Sequence, residues 1–462
     1  MIAVAAKTIN TGRAGPCSRS LGFKIWKSIK IKRLRVPDIL CLACGTRIEA
    51  RGKTQLEISM SHSLSDPERG WDYGLLDGDV AAISFCAKSG DGPTDWEASS
   101  LIQYVFVLDL RKAFNEKHVL TEKPKGAQEG FELRVRWPSA ISSCEGTVLE
   151  TSPRIKFKRA GDHRIISLGL TRAAISLQPL VQAGDRIYTG QIVASVVPVT
   201  SNFPCPGSAN AETFLALLRS TSVADRYSSA KALSHFENSV IADVLRQRMA
   251  DEREHIYVRV ESAAGLARRN DHAGMEFIER VLTGEYLEHR LEAVIILGEI
   301  RTDASQRILI RTLLDKEQHA EIRAGAAWAL GELQQPTSAE ALIQSFLELA
   351  EPIRIEAARA LRKIAANTPS NILVSLPGAA EDQRAGISWA VSRSGRAAIP
   401  DLLRVMTDDN ARRWVAYIVG SQKQEAYLDQ IEALKQHDPE VYFAVTVLWK
   451  IFASWVYELE EF

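Results

Sequence analysis

The sequence predicts a multidomain α+β chain in three parts: an N-terminal α/β module over residues 1–125, a small β-barrel over 126–206 and a C-terminal α-solenoid over 210–462. Three observations predict it. Small-and-apolar segments recur through the second half, period-two alternation with turn-forming glycines fills the middle, and charge is divided between the ends. Residues 1–60 hold 12 Lys+Arg against 3 Asp+Glu, whereas residues 221–462 hold 28 against 36, on a chain whose formal net charge is zero. A basic end on a neutral chain fits a phosphate-binding module joined to a part that does not bind phosphate, and equally fits two ends that attract each other.

Composition sets the outer limits. With 462 residues, 46% hydrophobic and 25% charged, the chain is of ordinary globular make-up and long enough for several cores. No apolar run approaches the roughly 18 residues a membrane span requires. The apolar stretch Ile2–Ala6 is too short for a secretory h-region, which places the chain in the cytoplasm. Six cysteines are too few for a dense disulfide framework, so functional cysteines are better sought as metal ligands or thiols.

At the N-terminal end, Lys24, Lys27, Lys30, Lys32, Arg33 and Arg35 interleave with Ile, Trp and Leu. This pattern fits a basic element lying along a nucleic-acid backbone, or an amphipathic edge with solvated charges. Asp38 is the first acidic residue of the chain, after nine basic ones. Val36–Leu40 reads as a strand, Cys41–Gly45 as a knuckle and Arg47–Met60 as a second strand, whose odd positions through Ser59 are all polar. Period two projects Glu49, Arg51 and Lys53 from one face. Asp38 and Glu49 on hairpin partners could share a Mg²⁺ ion, with a cation two residues on to assist phosphodiester hydrolysis. The same alternation also fits a hairpin with a solvated polar face.

Pro37-Asp38 followed by Glu49-x-Arg51 resembles the core of the PD-(D/E)xK restriction-endonuclease superfamily. Cys41-x-x-Cys44 between the two acids is similar to the zinc knuckle of its methyl-directed members. The resemblance implies a restriction-endonuclease-like fold, a Mg²⁺-dependent DNA endonuclease serving restriction or defence, Asp38 and Glu49 as magnesium ligands, and Cys41 and Cys44 as half of a zinc site. The family has lysine where this chain has Arg51, which cannot give up its proton; Lys53 faces the same way and could substitute, or the site is degenerate. Asp77 and Asp79 could add to a metal site or form turns. His62 has no acid placed to orient it as a triad base.

Glu132, Arg134 and Arg136 then alternate with apolar residues, and Glu145-Gly146 marks a turn into a strand. Gly184-Asp185 and Gly190-Gln191 sit where hairpin turns belong. The run V-x-x-G-D-x-I-x-x-G-Q-x-V-A is similar to half of the barrel-sandwich fold of biotinyl and lipoyl domains. Those carriers need a tip lysine, and none occurs between Lys158 and Lys231. The fold is expected without the swinging arm. Asn202–Gly207 reads as the linker onward.

The anchors of the last part are Leu233, Leu266, Leu297, Leu330, Leu361, Val391, Val419 and Leu448, at steps of 33, 31, 33, 31, 30, 28 and 29 residues. Each unit reads as two helices, with alanine and glycine at i, i+3 and i+4 allowing close approach. The pattern looks like the HEAT-like repeats found in phycobilisome lyases, Glu356–Leu361 (EAARAL) being the best match. No His is followed directly by Glu, so a di-iron hydroxylase lacks its ligands. The second helices, such as Phe277–Leu282, mix both signs of charge, which argues for a protein partner or self-association over a phosphate groove. Two functions therefore stand: a nucleic-acid-binding, nuclease-like protein with DNA as partner, or a non-catalytic repeat scaffold that binds protein.

Overall fold

The computed structural model describes residues 4–6, 37–42, 44–88, 96–99, 101–123, 132–203, 210–395, 397–406 and 408–421, with scattered positions between 435 and 446. The basic run Lys24–Arg35, Cys17 and Cys205 lie outside the described residues. Contacts divide the chain into two compact units, Met1–Ile241 and Ala242–Phe462.

The first unit opens with a mixed sheet. Its strands are β1 (Val4–Ala6), β2 (Ile39–Cys41), β3 (Arg47–Lys53), β5 (Val80–Lys88), β6 (Trp96–Ala98) and β7 (Gln103–Phe106), with β4 (Ile58–Ser63) reserved for another sheet. β2 pairs antiparallel with both β1 and β3, and β3 runs parallel to β5. The long strand expected over Arg47–Met60 is divided at residues 54–57. At the bend the Glu57 carboxylate pairs with Arg134 and Arg136 of β9 (Glu132–Trp137), and β4 zips onto β9 from Ile58↔Trp137 to Ser63↔Glu132. β9 also pairs β8 (Leu120–Glu122). Alternation continues through the bend because period two reports faces and says nothing of which strand is the partner.

Ile102–Leu110, which reads as strand or helix, is both. β7 ends at Phe106, and α1 (Val107–Asn115) starts at once with Phe106 as its extended N-cap residue. Ile58, Ile83, Val105, Leu110, Trp71 and Trp137 form the core, with the two indoles 4.9 Å apart edge to face and Trp137 Nε1 donating to Leu110 O at 3.0 Å.

Next come only strands: β10 (Ser139–Ile141), β11 (Gly146–Glu150), β12 (Arg154–Arg159), β13 (Ile165–Gly169), β14 (Thr171–Arg172), β15 (Ile175–Ser176), β16 (Gln178–Pro179), β17 (Arg186–Ile187) and β18 (Ile192–Ser195). They form the sheets β10-β18-β16 and β13-β12-β11-β17 with a small hairpin β14-β15, and Val148, Ile155, Phe157, Ile187 and Val193 share one core. Gly184 and Gly190 turn with φ of 93° and 80°, as their positions predict. Gln103 links this part to the first sheet: 2% exposed, it donates from Nε2 to Gly190 O at 2.8 Å and accepts from Ile192 N at 2.7 Å. The unit ends with α2 (Ala211–Leu217) and α3 (Val223–Leu233).

The second unit is helical. After α4 (Ser239–Ala250), α5 (Ile256–Ala267), α7 (Leu287–Ile300), α9 (Ala320–Leu333), α11 (Glu351–Ala365), α13 (Glu381–Ser394) and α15 (Asp409–Gly420) pack one on the next. Between them come α6 (His272–Leu282), α8 (Asp303–Leu314), α10 (Ala339–Gln344), α12 (Pro369–Leu373) and α14 (Ile399–Val405). The sequence anchors from Leu266 to Val419 fall on the odd-numbered helices of this unit, and Leu448 lies outside the described residues. Small residues set the spacing: a Cβ on Gly331 would lie 2.7 Å from Ala360 Cα, and one on Gly298 3.1 Å from Ala329 Cβ. Asp271, Thr302 and Asp408 cap helix starts through side-chain oxygens, and His255 and His319 do so through Nδ1.

Candidate functional site

The hairpin of β2 and β3 pairs Ile39 with Ile48 and Leu40 with Arg47. Carried one residue outward, that register sets Asp38 opposite Glu49, and directly opposed residues of an antiparallel pair share a face. Each carboxylate already has a protein partner. Asp38 Oδ2 accepts from Ala50 N at 3.0 Å, and Glu49 Oε1 pairs with Arg51 Nη2 at 2.7 Å. Lys53 donates Nζ to Ser59 O. Its pKa is lowered to about 8, first because burial penalises the ammonium and then because the Arg51 and Arg134 guanidiniums repel it.

The knuckle is a tight turn. Gly45, at φ 74°, donates to Cys41 O at 2.8 Å, and Cys41 N donates to Thr46 O at 2.9 Å. Cys41 is buried and Cys44 half-buried, and Cys44 Sγ donates to Thr46 Oγ1 at 3.0 Å. Beyond the knuckle, Cys86 is disulfide-bonded and His62 Nδ1 accepts from Trp71 N at 3.3 Å. Among the described residues no three His, Cys, Asp or Glu gather as a metal site.

The loop aspartates hold arginines. Asp72 and Asp77 clamp Arg111 at 2.7 and 2.5 Å. Asp79 takes Arg47 Nε and Nη2 at 2.8 and 2.7 Å while accepting Leu76 N at 2.7 Å, so it is also the turn former. Arg47, grouped by the alternation with the polar face, is 6% exposed and donates further to Asp225 of α3 at 3.3 Å. Sequence periodicity missed this because the buried partner lies 32 residues away.

A second candidate lies on the helical unit. A groove of about 670 Å³ is lined by Phe346, Leu347, Leu349, Ile355, Gly386 and Trp389, among others. Leu349 is 96% exposed and Leu347 53%. Gly386 lets the Phe346 ring pack directly on the α13 backbone, since a Cβ there would lie 2.5 Å from that ring. Arg354 fixes the turn above the groove by donating to Glu348 O at 2.6 Å and Leu349 O at 2.8 Å. The alanine-rich periodicity locates the helices, whereas this groove depends on the connection Ser345–Ala350, which lies outside the repeating pattern.

No curated protein matches the chain. Among solved structures it is similar to an engineered protein at 20% identity, over 40% of this chain and 96% of that one, with a TM-score of 0.25. It is similar to the complex of CpcE and CpcF of phycocyanin lyase from Nostoc sp. PCC7120 at 16% identity, over 55% and 100%, with a TM-score of 0.28. Human deoxyhypusine hydroxylase in complex with glycerol is similar at 17% identity, over 46% and 94%, with a TM-score of 0.19. Among the described residues no helix is long and apolar enough to cross a membrane. Residues 274–362, which run from within α6 to within α11, match the family described as HEAT repeats.

Proposed function

We propose that the chain is a non-catalytic scaffold whose HEAT-repeat half binds a protein partner, with the cytoplasm as its place of action. The observation that carries this reading is the groove between α11 and α13, where Leu347 and Leu349 are held in water by arginine-fixed backbone. Exposed leucines beside an apolar cleft of this size fit an amphipathic helix. Such a helix could come from another protein or from a second copy of the chain. The test replaces Leu347 and Leu349 together by Asp in the full chain. Proteins cross-linked to the wild type, and its oligomeric state, should both be compared with the variant. Loss of a cross-linked partner, or of self-association, supports the reading. Identical cross-links and an identical mass with both leucines replaced overturn it.

A second reading is a Mg²⁺-dependent nuclease or its degenerate descendant acting on DNA. Its support is the register that opposes Asp38 to Glu49, together with a lysine on the same strand whose pKa is lowered to about 8. Asp38 and Glu49 would hold magnesium, Arg51 or Lys53 would assist, and Cys41 with Cys44 would contribute to a zinc site. Cleavage of plasmid DNA that depends on Mg²⁺ and disappears in both Asp38→Ala and Glu49→Ala would establish it. Zinc content of the purified protein, compared with that of Cys41→Ser, checks the knuckle.

A further inference from the structure

One strand carries its charge in strict alternation. In β12, Ile155 and Phe157 are fully buried, whereas Arg154, Lys156 and Lys158 point to the opposite, outer face. Pairing extends that face sideways. Lys158 lies opposite Ile165 of β13 and Thr147 of β11, and Thr147 lies opposite Arg186 of β17. All four of these positions are exposed.

At one end of the face two guanidiniums converge. Arg154 Nη2 and Arg172 Nη1 lie 3.9 and 3.7 Å from the point where a Cβ on Gly169 would stand, a space left open by the glycine. Arg154 is held in place by its Nε, which donates to Ser167 Oγ at 2.8 Å. Among the described residues no ion pair in this sheet falls on Arg154 or Arg172, whereas Glu150 pairs with Lys156 at 2.9 Å, Glu145 with Arg186 at 3.3 Å, and Asp162 with Arg159. These are exposed pairs, which water weakens and an incoming anion can replace. Two like charges over a vacant Cβ position attract an anion with several acceptor oxygens, which a planar guanidinium binds bidentately.

We propose that the outer face of the sheet β13-β12-β11-β17 binds single-stranded nucleic acid, with Arg154 and Arg172 holding one phosphate over Gly169 and Lys156 and Lys158 following the backbone along β12. Outward residues of a strand recur at roughly 6.8 Å, a spacing that suits the successive phosphates of one extended chain. Tyr188, 43% exposed with the Arg186 guanidinium 5.4 Å from its ring centroid, offers a stacking surface for a base at the far edge. The inference is independent of the scaffold reading, which concerns the other unit.

The test is fluorescence anisotropy of the full chain with labelled oligo-dT and oligo-U of about 16 nucleotides, a length that fills one such site. Duplex DNA and phosphatidylserine vesicles serve as competitors, and the two single strands separate DNA from RNA. Single strands should bind, and duplex or vesicles should compete poorly. Arg154→Ala with Arg172→Ala should weaken binding at least about tenfold and flatten the salt slope by about 0.7 for each phosphate no longer neutralised. Gly169→Val leaves every charge in place but fills the cradle, and it should weaken binding as well. Lys123→Ala, at an exposed cation just after β8, should change nothing. The three replaced cations are exposed, and circular dichroism confirms folding. Failure to bind either single strand, preference for duplex or vesicles, or unchanged binding in both the double variant and Gly169→Val would overturn the proposal.

Discussion

Arg323 donates its Nε to the carbonyl of Leu313 at 2.8 Å, tying the start of α9 to the end of α8. An arginine-to-carbonyl bond recurs along the second unit, from Nε in every case but Arg354, which uses Nη1. Arg259 bonds Met249 O, Arg290 bonds Gly284 O, Arg354 bonds Glu348 O, Arg384 bonds Leu376 O and Arg412 bonds Met406 O. Each of these arginines stands seven residues before its anchor, so one side chain per repeat satisfies a carbonyl at or just beyond the end of the preceding helical segment. At 5% exposure Arg323 is buried, and hydrogen bonds from a charged donor contribute about 1.5–3 kcal/mol. Arg323→Met should therefore loosen α8 and α9 by about that amount, read as faster amide exchange confined to those helices. Uniformly unchanged exchange would refute this.

Arg323 also pairs with Glu348 at 2.7 Å and holds that carboxyl below its ordinary value of 4.5. A depressed carboxylate contributes stability above its unfolded pKa, and the contribution is lost as pH falls through the folded one. Wild-type α9 should thus lose protection as the pH drops below about 4.5, where the unfolded carboxyl protonates first. Arg323→Met should start lower and decline less over that interval. An equally steep decline would place the acid sensitivity elsewhere.

Glycine at the helix contacts ranks two substitutions that look alike in sequence. Gly→Ala in a helix interior gains about 0.8–1.0 kcal/mol of propensity. At Gly298 the new methyl would meet Ala329 Cβ at 3.1 Å, a contact that a small shift relieves, so the change should be near neutral. At Gly331 it would meet Ala360 Cα and Cβ at 2.7 and 2.8 Å, and backbone must move. Overpacking of that kind costs about 1–3 kcal/mol, which exceeds the propensity gain. Gly331→Ala should destabilise α9 and α11 in urea unfolding followed by amide exchange; equal effects at both glycines would contradict the argument.

Arg47 and Asp79 make a bidentate pair at 6% and 3% exposure. Breaking a buried pair from one side strands the other charge and costs about 3–5 kcal/mol, whereas apolar replacement of both is often close to neutral. Asp79→Leu alone and Arg47→Met alone should each be severely destabilising, and the double variant should recover much of the loss. Asp225, which takes Arg47 Nη1, and Leu76 N, which donates to Asp79, keep the recovery incomplete. Additive losses in denaturant unfolding would show that the pair is not coupled.

The helical half was legible because its signal is local and repeated: anchors such as Leu297 and Leu330 announce helices that bury the same face each time. The arginine seven residues before each anchor from Leu266 to Val419 was equally present in the sequence and went unread, since a polar residue's partner is a carbonyl of no particular residue type. In the first unit the alternation placed Glu49, Arg51 and Lys53 on one strand correctly, but pairing is nonlocal. Arg47 is buried against Asp79, and Glu57 pairs with Arg134 where the chain bends, and neither contact leaves a mark in the periodicity of residues 47–60.

Lys53 offers a last test of how the hairpin is built. Its ammonium is bonded to Ser59 O yet shares its surroundings with Arg51 and Arg134, and its pKa falls from 10.5 to about 8. Between those two values the unfolded chain binds a proton that the folded chain has released, so stability from this group rises with pH across the window and is lowest below about 8. Lys53→Met removes both the charge and the slope. It should gain stability relative to wild type at neutral pH, less the lost bond to Ser59, and the gain should shrink steadily toward pH 10.5 as the wild-type amine becomes neutral in both states. Melting curves across that range decide the matter: a constant difference between the two proteins would mean that Lys53 titrates at its ordinary value and that the cations around it are screened.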